Sequence, residues 1–203
     1  MKKLLLTGFE PFGGESINPA LEAVRCLPDE IGGAQIIKLQ IPVVYQQAAQ
    51  IVCEAMQREC PDAVICVGQA GGRDAVTPER VAINVMDAAV PDNAGIMMTD
   101  QPVDPAGPAA YFSTLPLRKM AENVKTQGVS CRISNTAGTY VCNNVMYAAL
   151  HHAAQHMPAT KAGFIHVPYI PQQTANKENV PSMPLEDIVC ALKAAVAAVI
   201  ESL

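Results

Sequence analysis

The stretch Val44–Arg73 reads VYQQAAQIVCEAMQRECPDAVICVGQAGGR, and the fold is decided in it. Val44–Glu59 is a helical pattern with no glycine or proline inside. Cys60-Pro61 stops it, because a residue before proline is pushed out of the α region toward extended backbone. Ala63–Val67 follows, a short apolar run rich in β-branched residues, as in strands buried on both faces. It empties into Gly68-Gln69-Ala70-Gly71-Gly72-Arg73, a glycine loop.

The same alternation extends in both directions. Further strands are predicted at Lys3–Thr7, Gln35–Ile41, Arg80–Val85, Ser130–Ser134 and Gly163–Val167. Further helices are predicted at Pro19–Cys26, Leu117–Thr126, Tyr140–His156 and Leu185–Glu201. Asn18-Pro19 sets a capping side chain before a proline at the first helical position. Gly128 suits a helix end. Glu186 and Asp187 sit in a first turn, where carboxylates favour the positive end of the helix dipole. Strands alternating with helices argue an α/β fold with a largely parallel sheet covered by helices. The 203 residues fit one domain, 1–203. Met86–Ala110, rich in Asp, Pro and Gly, is long for a loop and is expected to be functional or mobile.

Half of the residues are hydrophobic and 16% are charged, which excludes disorder as the default state. The net charge is −5 without a Lys/Arg cluster, so neither nucleic acid nor an anionic membrane is an expected partner. No apolar stretch approaches the ~18 residues of a membrane span. The apolar stretch within Met1–Gly14 is too short for a signal peptide and ends in Phe9-Glu10-Pro11 without a small-residue cleavage site. The seven cysteines are Cys26, Cys53, Cys60, Cys66, Cys131, Cys142 and Cys190. An odd count without a signal peptide argues against a disulfide framework and for the cytosol. No CxxC pair offers a metal or redox site. Most of these thiols are expected to be small core hydrophobes.

Ligands in such sheets sit at the carboxyl ends of strands, and four segments fit. In Thr7-Gly8-Phe9-Glu10-Pro11-Phe12-Gly13-Gly14, two phenylalanines share one loop of a chain that is only 4% aromatic. They either pack on neighbouring helices or form an apolar slot for a small flat ring. Gln69, in the glycine loop after Val67, offers both a donor and an acceptor, or else merely occupies a turn. Ser134–Asn143 places Cys142 in the first turn of a helix, where free N–H groups and the dipole are expected to lower a thiol's pKa. The competing reading is a buried structural thiol. His166 lies near a strand end before Pro168, as a base for that thiol or as a core histidine. His151, His152 and His156 lie within a helix as surface or packing residues. Glu79 is a carboxylate to orient an imidazole, or the partner of a solvated ion pair with Arg73 or Arg80.

At these residues the chain resembles the pyroglutamyl-peptidase I family, over nearly its whole length. Thr7–Gly14 followed by Asn18-Pro19 is similar to the family's opening. Pro78–Asn84 and Ser134–Asn143 are similar to its two signature regions, and His166–Pro171 with Gln172 to its histidine segment. The resemblance implies a cysteine exopeptidase that hydrolyses the bond after an N-terminal pyroglutamyl residue. It implies a Cys142–His166–Glu79 triad, Phe9 and Phe12 flanking the ring, Gln69 close to it, and Tyr140 and Val141 among the substrate-binding residues. It further implies a cytoplasmic enzyme without metal or organic cofactor, often a homotetramer, with a three-layer α/β/α sandwich around a mixed, largely parallel twisted sheet. The chain departs from the family at Ala89, where many members carry an arginine, and at Ala20 and Tyr140. Two other readings stand beside this one: a phosphorylase-like enzyme with phosphate in the glycine loops, although neither loop has a P-loop lysine, and a non-catalytic protein that binds a small cyclic ligand.

Overall fold

The computed structural model describes residues 1–203. In chain order it contains β1 (Lys3–Phe9), α1 (Pro19–Cys26), β2 (Glu30–Ile31), β3 (Ala34–Ile41), α2 (Gln47–Glu59), β4 (Ala63–Gln69), β5 (Thr77–Pro78), β6 (Val81–Ile83) and β7 (Ala110–Phe112). Then come α3 (Leu117–Thr126), α4 (Val141–His156), β8 (Lys161–Val167), α5 (Pro171–Thr174) and α6 (Leu185–Ile200).

Six strands form one sheet in the order β2-β3-β1-β4-β8-β5. β3, β1, β4 and β8 run parallel, and β2 and β5 pair antiparallel at the two edges. A small antiparallel pair, β6–β7, lies apart from it. Side chains alternate across a strand, and two cores follow from that alternation. Leu4, Leu6, Ile65, Val67, Ile165 and Val167 face α1, α3 and α6. Leu5, Val64, Cys66 and Phe164 face α2 and α4. The result is a three-layer α/β/α arrangement with a mixed, largely parallel sheet, as expected.

Pro19–Cys26 and Leu117–Thr126 are helical over the predicted bounds. The Asn18 side chain accepts the Ala20 N–H at 3.0 Å and caps α1. Gly128 takes the left-handed conformation (φ +79°) after α3. Four expectations need correction. Ser130–Ser134 is no continuous strand; it meets the residues flanking β5 only through isolated parallel bridges, Val76 with Cys131 and Glu79 with Ser134. The strand expected over Arg80–Val85 is shorter, β6 at Val81–Ile83, and it pairs with β7 outside the main sheet. Cys60 closes α2 in a left-handed conformation (φ +48°) rather than an extended one; this too takes it out of the right-handed region that the following proline disfavours. Finally, only Cys66 and Cys131 are buried, whereas Cys26 and Cys60 are exposed.

Candidate active site

The carboxyl ends of β4 and β8 meet in register, with Gly68 beside His166 and Gln69 beside Val167. β5 runs back along β8, pairing Thr77 with His166. The Glu79 N–H donates to the Phe164 carbonyl at 2.9 Å, which holds Glu79 at the sheet edge with its carboxylate under the imidazole. His166 Nδ1 lies 2.7 Å from Glu79 Oε1. A carboxylate only accepts, so Nδ1 carries the proton and Nε2 keeps its lone pair. Nε2 has no protein hydrogen bond and is not sealed from solvent.

Glu79 is fully buried. Arg73 Nη1 shares the same Oε1 at 2.5 Å, and also donates to Thr77 Oγ1. Glu79 bonds the imidazole and pairs with Arg73, but the pair is buried and not the solvated one the sequence offered as the alternative. Arg80 bonds Asn135 instead. Burial by itself raises the Glu79 pKa. The hydrogen bond and charge of His166, the nearby Ser134 hydroxyl and Arg73 outweigh it, and the carboxyl lies below its ordinary value. Burial holds His166 below its ordinary value, with Glu79 pulling up and Arg73 pushing down.

Tyr140 stands at the N-cap of α4, and no side chain caps that end. Cys142, in the first turn, lies against the end of β4. A Cβ built on Gly68 would fall 2.9 Å from Cys142 Sγ and 2.8 Å from the Phe164 ring. The thiol, the imidazole and the carboxylate are thus gathered at adjoining strand ends. The expectation of a lowered thiol pKa is overturned. Burial pushes Cys142 up to about 12; the Glu79 charge adds to this, and Arg73 and a backbone N–H only partly oppose it. Burial thus opposes charge on both the thiol and the imidazole.

Phe9 is 2% exposed, and its ring lies 6.3 Å from Phe164, which in turn lies 4.7 Å from His166. Phe12 is half-buried and pairs with Tyr140 at 6.4 Å. The Tyr140 ring also meets Tyr45 edge-on at 5.5 Å. The open aromatic surface beside Cys142 is therefore Phe12 with Tyr140, whereas Phe9 is buried against Phe164. Val141 is fully buried. The loop after Met86 lines this surface: the Tyr140 hydroxyl donates to Pro91 O at 3.0 Å, Thr139 Oγ1 donates to Asp87 O at 2.6 Å, and Asn93 Nδ2 donates to Glu10 Oε1 and Pro11 O. The largest surface cleft, about 510 Å³, lies elsewhere, between Phe112 and Lys119. No group of three His, Cys, Asp or Glu side chains is placed to hold a metal ion.

Sequence reasoning missed the groups that hold this frame. Asn143, fully buried, accepts the Ile83 N–H and donates to Ile83 O and Val85 O, each at 2.9 Å, which docks the start of α4 on β6. Asn144 accepts the Gln46 N–H at 3.0 Å. Two adjacent asparagines just inside a helix were the available signal, because polar amides are not usual buried helix residues.

The family model described as pyroglutamyl peptidase matches residues 2–202. The chain belongs to the pyroglutamyl peptidase family. It is 51% identical over 198 residues to a pyrrolidone-carboxylate peptidase of Levilactobacillus brevis, covering 98% of this chain and 97% of that one. A pyrrolidone-carboxylate peptidase of Alkaliphilus oremlandii is 51% identical, with 98% and 94% covered. Among solved structures, Bacillus amyloliquefaciens pyroglutamyl peptidase I superposes with a TM-score of 0.94 at 45% identity, covering 98% and 97% of the two chains. A mutant pyrrolidone carboxyl peptidase of Pyrococcus furiosus superposes at 0.95 and 44% identity, covering 99% of each. As a member of this family the chain is a cysteine peptidase. No helix is long and apolar enough to cross a membrane.

Proposed function

We propose that this pyroglutamyl peptidase family member removes N-terminal pyroglutamyl residues from peptides, with Cys142 as nucleophile, His166 as base and Glu79 as the orienting carboxylate. The observation that carries the reading is the buried Glu79–His166 hydrogen bond of 2.7 Å, set beside the Gly68 position that Cys142 Sγ overlies. The residues 1–203 act as one catalytic unit.

Burial raises the Cys142 thiol, which favours proton transfer in step with attack. The Cys142 proton passes to His166 Nε2 as Sγ attacks the carbonyl carbon that joins pyroglutamate to the next residue. Hydrogen bonds between base and nucleophile often tighten only once substrate is bound. Glu79 holds Nδ1–H and stabilises the imidazolium that forms. The tetrahedral oxyanion lies at the uncapped start of α4, where free backbone N–H groups can donate to it. His166 returns the proton to the leaving amine. Water then hydrolyses the thioester, with the same imidazole as base.

The substrate's terminal residue is a neutral lactam, so a slot of aromatic faces suits it and a carboxylate for an ammonium does not. Phe12 and Tyr140 form this slot, the buried Phe9 and Val141 back it, and Gln69 lies at its edge. Proline lacks the ring carbonyl, and a site built to hydrogen-bond that carbonyl rejects it. We place the enzyme in the cytoplasm, working on peptides as a homotetramer without cofactor. The test is release of a chromophoric amine from a pyroglutamyl amide, with a prolyl amide as control and Cys142→Ala as the inactive variant. Turnover of the pyroglutamyl compound by wild type alone is expected; equal turnover by Cys142→Ala would overturn the assignment. Light scattering tests the tetramer.

A further inference from the structure

Gln173 is 6% exposed, and the orientation of its amide is forced from both ends. The Ile170 N–H, which can only donate, lies 3.2 Å from Gln173 Oε1. Gln173 Nε2 then lies 3.4 Å from the Ile17 carbonyl, which can only accept, and 2.8 Å from Gln69 Oε1. This fixes Gln69 in turn: its carbonyl oxygen is engaged, and its NH2 has no protein partner and is not sealed from solvent. The donor side is what Gln69 has left to offer a ligand.

The three anchors belong to three neighbouring parallel strands. Ile17 follows the loop after β1, Gln69 ends β4, and Ile170 follows β8. Outside this buried contact the same strands are tied again. The Tyr169 ring lies where a Cβ on Gly71 would stand, and Lys177 Nζ sits 4.3 Å over that ring and pairs with Glu15 at 2.7 Å. The buried amide sets the orientation of Gln69; the surface contacts hold the segment after β8 in place.

We propose that Gln173 is a positioning residue for substrate binding: it fixes Gln69 with its donor side outward, so that the site reads the carbonyl acceptor of the lactam. This rests on the pyroglutamyl reading above. Removing one hydrogen bond that orients a binding group, away from the reacting atoms, should weaken ground state and transition state together. Gln173→Ala and Gln173→Met should raise KM for a pyroglutamyl amide by roughly tenfold, with kcat within about twofold. Gln173→Glu is the sharper variant. A carboxylate can only accept, so Gln69 must turn its NH2 inward and present its oxygen to the lactam carbonyl. Its KM should exceed that of Gln173→Met, although both keep the side chain's length. In the Gln69→Ala background, Gln173→Met should cost nothing more, because the two act as one unit. KM unchanged in Gln173→Met and Gln173→Glu, or a full additional loss in the double variant, would overturn the proposal while leaving wild-type turnover intact. A folded wild type with no pyroglutamyl turnover would overturn both this proposal and the activity it rests on. Thermal melts report whether each variant folds.

Discussion

Two carboxylate–histidine pairs stand in this molecule, one sealed and one wet. Glu79 and His166 meet at 2.7 Å with side chains 0% and 5% exposed. Asp104 and His151 meet at 3.2 Å with side chains 35% and 27% exposed. In the second pair both imidazole nitrogens are occupied, because the Tyr111 hydroxyl bonds Nδ1 at 2.8 Å while Nε2 faces Asp104. The ring is also stacked on Tyr147 at 6.0 Å. It fastens the loop before β7 to α4 and has no lone pair left over. His166 has one protein partner and one open nitrogen. A histidine beside a carboxylate becomes a base only when its far nitrogen is left free.

The largest effect that separates the pairs is loss of activity. Cys142→Ala and His166→Ala should each lower kcat/KM for a pyroglutamyl amide by roughly 10⁵-fold or more. His151→Ala and Asp104→Asn, changes at a partly exposed pair, should stay within about threefold. An inactive but folded His151→Ala would break the comparison. Glu79→Gln should fall between, losing about 10²- to 10⁴-fold, since the orienting carboxylate is the most dispensable member of such a unit. If it matched Cys142→Ala while remaining folded, Glu79 would be more than an orienting group.

The pH dependence is a finer discriminator. His166 is held below its ordinary value of 6.5, so the acid limb of kcat/KM should lie below that of a free histidine. Arg73 contributes to the depression, and Arg73→Gln should move the limb to higher pH. A limb that moved lower would mean Arg73 acts otherwise. Stability follows the same signs. Glu79 and His166 bind protons less readily folded than unfolded, so their stabilisation is present above the unfolded values and is lost as pH falls through the folded ones. Cys142 runs the other way: its contribution is full below the ordinary thiol value of 9 and fades as pH rises toward about 12.

The smallest effect is chemical. With a neutral, partly buried Cys142, brief iodoacetamide treatment near neutral pH should label the exposed Cys26 and Cys60 first, as read by peptide mass spectrometry. Preferential labelling of Cys142 would show a thiolate at rest.

The helices were legible because breakers mark them: Asn18-Pro19, Gly128 and Pro184 delimit runs with helical spacing. β1, β3, β4 and β8 were legible because a strand buried on both faces is nearly all apolar. β5 and β7 are too short for any pattern, and Ser130–Ser134 has strand-like residues that make only isolated bridges on either side of β5. At the site, strand–loop–helix grammar located Cys142 and His166. That Glu79 sits in the interior with Arg73 depends on how β5 folds back along β8, which a local stretch does not encode. The partners of the buried Asn143 and Gln173 amides were hidden for the same reason, since they include backbone groups 60 and 156 residues away.

Gly68 carries a consequence for reading other sequences. Its backbone is not in a conformation reserved for glycine, so alanine there would not strain the chain, but its methyl would need the space of Cys142 Sγ and the Phe164 ring. A relative with alanine at that position would keep thiol, imidazole and carboxylate and still have its sulfur displaced. A census of active members that counts only those three side chains would include such chains wrongly; the missing methyl belongs in the signature.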